Sequence, residues 1–92
     1  MEWLEIIKVR MGGTGKREID TEYLKQMEKT LKAPSLADAR VYMNLFLSND
    51  LVIILTWIRA FPTPWGSDLA HGLTQELKQH GLVDYSAWSC MD

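Results

Sequence analysis

Cysteine is nearly absent from this chain: Cys90 stands alone among 92 residues. One thiol excludes an intrachain disulfide framework and leaves too few sulfurs for a cysteine-based zinc site. Charge of one sign is lacking too, because 10 basic residues face 12 acidic ones, for a formal charge of -2. That balance provides no electrostatic footprint for nucleic acid or an anionic membrane. A long hydrophobic run is also missing. The most apolar stretch, Val41 to Ile58, is broken by Asn44, Ser48, Asn49 and Asp50 and does not read as a bilayer span. Glu2 and Glu5 interrupt the apolar start, with no small-residue cleavage site after it, so no secretory signal is expected and the protein is read as cytoplasmic. What is present is the composition of one globular domain: 47% apolar and 24% charged residues, enough to build a core.

The elements follow from periodicity. Trp3 to Met11 reads as a strand, with Ile7, Val9 and Met11 alternating against Lys8 and Arg10, and with Leu4 and Ile6 apolar on the other face. Gly12, Gly13 and Gly15 form a loop. A helix is expected from Thr21 to Lys32, capped by Asp20, stapled by Ile19 and Leu24, and striped by Tyr23, Leu24, Met27 and Leu31 until Pro34 stops it. Arg40 to Ser48 and Leu51 to Arg59 read as two strands joined by a two-residue turn at Asn49-Asp50. A second helix runs from Asp68 to Gln79, capped by Ser67 or Asp68 and stopped by Gly81 in a left-handed conformation. Leu82 to Met91 supplies the last strand. The order βαββαβ implies an α+β, ferredoxin-like domain over residues 1–92: a four-stranded antiparallel sheet with both helices on one face.

The short turn fixes a register that sets Ser48 opposite Leu51 and Tyr42 opposite Trp57. Val41, Met43, Leu45, Leu47, Val52, Ile54, Thr56 and Ile58 then lie under the helices. Arg40, Tyr42, Asn44, Phe46, Leu51, Ile53, Leu55, Trp57 and Arg59 line the helix-free face. So much apolar surface left in water would be an aggregation hazard, which points to a homodimer paired through that face. Tyr42, Asn44, Trp57 and Arg59, with Trp65 over the mouth, are candidate walls of a cleft for a small aromatic or apolar molecule. The competing reading makes the same aromatics dimer core with a polar rim, and interfaces commonly use aromatics in that way.

The element order, the chain length and the apolar second face resemble the dimeric α+β barrel superfamily, most of all its antibiotic-biosynthesis monooxygenase-type domains. The resemblance implies a homodimer with a ligand cleft and cofactor-free, monooxygenase-like chemistry; its alternative is a non-catalytic dimerisation, ligand-sensing or regulatory domain. Haem-degrading members place an asparagine on the first strand, a tryptophan on the third and a histidine on the next helix. Trp57 matches by strand, but the first strand has no asparagine and His71 lies opposite the helix stripe, so no cofactor is expected. His71 and His80, nine residues apart, do not make a metal pair on one helix face. Gly12-Gly13-Thr14-Gly15-Lys16 is not a phosphate loop, because Arg10 and Arg17 occupy positions that need glycine and Ser or Thr. No metal, nucleic-acid or membrane partner is expected.

Overall fold

The computed structural model describes residues 2–11, 21–47, 49–58 and 66–90. Six elements run in the order β1 (Trp3–Met11), α1 (Thr21–Thr30), β2 (Leu36–Met43), β3 (Asp50–Trp57), α2 (Asp68–Leu77) and β4 (Gly81–Ser89). They build a small α+β fold with a four-stranded sheet of order β2-β3-β1-β4, every pair antiparallel, compatible with the ferredoxin-like arrangement. The glycine loop, the Asp20 cap and Ile19 staple, Arg59, and the Pro62 to Trp65 connection lie outside the described residues.

Strand alternation decides where the core sits. On β1 the odd positions Trp3, Glu5, Ile7 and Val9 are buried, and on β3 Leu51, Ile53, Leu55 and Trp57 are buried. Leu24, Met27 and Leu31 from the first helical segment and Ala70, Leu73 and Leu77 from α2 join the same cluster, so both helices cover one face. Tyr23 stands at the stripe's edge, 42% exposed, and its hydroxyl donates to Glu76 of α2 at 3.4 Å.

Two local expectations are corrected. The β2–β3 connection is not a two-residue turn at Asn49-Asp50: β2 ends at Met43 and Asp50 already belongs to β3. Asn44 is the cause. Its side-chain Oδ1 accepts from the backbone N–H groups of Phe46 (2.8 Å) and Leu47 (3.0 Å), offering the chain an alternative to the strand ladder. Met43 consequently pairs with Leu51 and Tyr42 with Val52, an odd-numbered slip that turns β3 over. Leu51, Ile53, Leu55 and Trp57 are core, whereas Val52, Ile54 and Thr56 go to the helix-free side. Gly81 is not a left-handed helix stop either: Lys78 caps α2 in ordinary right-handed geometry, and Gly81 opens β4. A Cβ on Gly81 would lie 2.8 Å from Met11 Cα, so glycine serves close strand approach there.

The sheet's β2 edge is guarded by α1. Glu28 reaches over so that Val41 N–H donates to its Oε2 at 2.7 Å, which occupies an edge donor that could otherwise recruit another strand.

Candidate functional site

The helix-free face begins with the even positions of β1. Leu4, Ile6, Lys8 and Arg10 point there, joined across the ladders by Val52, Ile54 and Thr56 of β3, Arg40 and Tyr42 of β2, and Leu82, Asp84, Ser86 and Trp88 of β4. Leu4, Ile6, Val52 and Ile54 are half-buried by their neighbours, while Tyr42, Leu82 and Trp88 are exposed. Polar groups gather at the end where β1 and β4 meet the β2–β3 connection.

A groove of about 520 Å³ opens at that end, lined by Lys8, Arg10, Tyr42, Met43, Asn44, Asp50, Val52, Leu82 and Asp84 among others. Arg10 crosses to Asp50 on the neighbouring strand, with Nε donating to Oδ1 at 3.1 Å and Nη2 to Oδ2 at 3.3 Å. The carboxylate's hydrogen bonds and charge raise the guanidinium's pKa, so this rim cation stays charged. Lys8 and Asp84, cross-strand partners that both line the groove, add one charge of each sign. The groove therefore offers an apolar floor at Val52 and Leu82, a tyrosine ring, and charges that can orient a polar substituent.

The five residues read from the sequence as cleft walls separate. Tyr42 lines this groove. Asn44 also lines it, though its Oδ1 is committed to the loop's own backbone. Trp57 does not stand beside Tyr42. It lies on the opposite face, 7% exposed, paired with Trp3 and Leu36 and stacked on the Trp3 ring at 5.5 Å and 12° between planes. The odd register slip is the reason. Arg59 and Trp65 lie outside the described residues.

On the helix side the structure reveals a polar centre that periodicity did not single out. Glu5 is fully buried, and each of its carboxylate oxygens accepts two hydrogen bonds. Oε1 takes Trp57 Nε1–H at 2.7 Å and the Ser67 hydroxyl at 2.6 Å. Oε2 takes the Ser67 backbone N–H at 3.0 Å and the Tyr85 hydroxyl. Burial first, then the hydrogen bond and charge of Glu5, push the Tyr85 phenol well above its ordinary pKa. Ser67 is also the N-cap of α2, its Oγ accepting from Ala70 N–H at 3.0 Å. Gly66 just before it has φ +89°, and a Cβ there would run into Tyr85 and stand 2.8 Å from Glu5 Oε2. With every lone pair engaged, Glu5 acts as a clamp that ties the start of α2, β3 and β4 to β1. The signal was available: a lone acidic residue in the core-facing series Trp3, Glu5, Ile7, Val9.

His71, His80 and Cys90 are exposed, and among the described residues no group of three or more His, Cys, Asp or Glu comes together. No described helix is long and apolar enough to cross a membrane. Compared with protein-family models, with curated proteins and with solved structures, the chain matches none of them.

Proposed function

We propose that the chain works as a homodimer paired through the helix-free faces of its two sheets, and that the groove at the loop end of each sheet binds a small aromatic or apolar molecule. One observation carries this reading: a face covered by neither helix keeps Leu4, Ile6, Val52, Ile54, Leu82, Tyr42 and Trp88. A large apolar side chain left in water forgoes about 1.5–3 kcal/mol, so a monomer bears a penalty that a second copy removes. Two such sheets packed together would form the architecture of a dimeric α+β barrel, the superfamily that the element order resembles. The residues supporting the pairing differ from those read from the sequence, since β3 contributes Val52 and Ile54 in place of Leu51, Ile53, Leu55 and Trp57.

The groove's volume lies inside the range of about 300–1,000 Å³ common for ligand pockets. Between paired sheets it would be shielded from water, which strengthens the contribution of Lys8 and the Arg10–Asp50 pair to orienting a ligand's polar group. A two-ring phenol such as 2-naphthol suits the apolar floor and the charged rim. Titrating 2-naphthol into the ¹⁵N-labelled protein should shift the amide signals of Tyr42, Val52 and Leu82 and leave Trp57 and Ser67 unmoved. Shifts centred on Trp57, or none at millimolar ligand, would contradict the assignment.

A further inference from the structure

The β2–β3 loop carries the two most exposed large apolar side chains described, Leu45 at 91% and Phe46 at 90%. Such a tip would ordinarily be expected to be loose, yet this one is held at several points. Asn44 Oδ1 accepts from Phe46 and Leu47 N–H, Asp50 N–H donates to the Leu47 carbonyl at 3.1 Å, and Met11 N–H donates to the Asn49 carbonyl at 2.9 Å. Asn44, at the base of the tip, also lines the groove, so finger and groove share one end of the sheet.

We infer that the Leu45–Phe46 tip of one protomer packs along the Leu82 side of its partner's groove and leaves the Tyr42 side to the ligand, so that each binding site is built from two chains. The inference rests on the face-to-face pairing proposed above and specifies its geometry: a twofold axis running along the strands, which keeps the two loop ends together. Three observations support it. Docking the tip leaves two of its backbone donors satisfied, because the N–H groups of Phe46 and Leu47 already have their acceptor within the loop. The fixed loop has already lost much of the freedom that binding would otherwise cost. Exposure also argues for it: Tyr42, Leu82 and Trp88 on the face and Leu45 and Phe46 at the tip are each more than half exposed, apolar surface of the kind a second copy covers. A lipid surface is the weaker occupant, because residues 44–50 carry no cation to meet a headgroup and Arg10 at the same end is paired with Asp50.

The test uses the full chain with Cys90→Ser. Phe46→Cys protein is mixed with Leu82→Cys protein and oxidised with diamide, while sedimentation reports association and near-ultraviolet dichroism reports folding. A heterodimer joined by a disulfide between positions 46 and 82 is expected as the main product, with little bond formation when Trp88→Cys replaces Leu82→Cys. Phe46→Ser should also weaken the dimer at least about tenfold while leaving the fold intact. A dimer that forms no bond between positions 46 and 82, or that bonds position 46 to position 88 instead, overturns the tip docking and leaves the face pairing standing. A monomer overturns both. Phe46-dependent sedimentation with phosphatidylcholine vesicles would assign the tip to a membrane and overturn it as well.

Discussion

Replacing Tyr85 by Phe keeps the ring and removes one donor from the fully buried Glu5 carboxylate. Hydrogen bonds to charged groups contribute about 1.5–3 kcal/mol net. Tyr85 is only half-buried, so water can partly replace its hydroxyl, and the loss should fall near the lower end, about 1.5–2 kcal/mol. For a domain of this size that corresponds to a fall in Tm of roughly 6–15 °C. Urea unfolding followed by far-ultraviolet dichroism measures it, with an unchanged slope showing that the unfolded state is unaffected. The same substitution made on Glu5→Leu should cost almost nothing, because its acceptor is gone. A loss below about 0.5 kcal/mol in the parent, or an equal loss in both backgrounds, would refute the clamp.

Alkali should expose the same contact. The folded Tyr85 holds its proton more tightly than the ordinary phenol at pKa 10.0, through burial first and Glu5 second. Its contribution is therefore complete below pH 10 and is lost as pH rises through the ordinary value toward the raised folded one. Tyr85→Phe should flatten that decline in urea titrations, and a parallel decline in both proteins would count against it. Gly66→Ala should lower stability by about 1–3 kcal/mol, from strain at φ +89° and from collision with Tyr85 and Glu5; a thermal melt within a degree of the parent would contradict this. Leu55→Lys, buried on the helix side, should unfold the chain outright, and a soluble folded product of any size would show that Leu55 is not core.

Much of the fold was legible. β1 follows its alternation, α1 and α2 follow their stripes, and Ser67 caps as its position beside Asp68 and Leu69 suggests. The β2–β3 register was not legible, because Asn44 and Asn49-Asp50 are both good turn formers and only the three-dimensional context chooses between them. That choice exchanged every β3 side chain between faces, since Leu51 to Ile58 is apolar at both parities, apart from Thr56. It moved Trp57 away from Tyr42 and into the core. Because β3 is apolar at both parities, the turned-over strand still sets Val52 and Ile54 on the helix-free side. Glu5 escaped notice because an acidic residue near a chain start ordinarily reads as solvated, and its four donors come from β3, β4 and the residue before α2.

Sedimentation equilibrium of the parent and of Ile54→Lys tests the pairing through the helix-free face most directly. Ile54 is half-buried at the centre of that face, so a lysine there can reach water in a lone chain but places unpaired charge between two sheets. The parent should sediment at twice 10.6 kDa at micromolar concentration and Ile54→Lys at 10.6 kDa, with both folded by dichroism. A parent of 10.6 kDa, or an Ile54→Lys protein that keeps the doubled mass, would contradict the account.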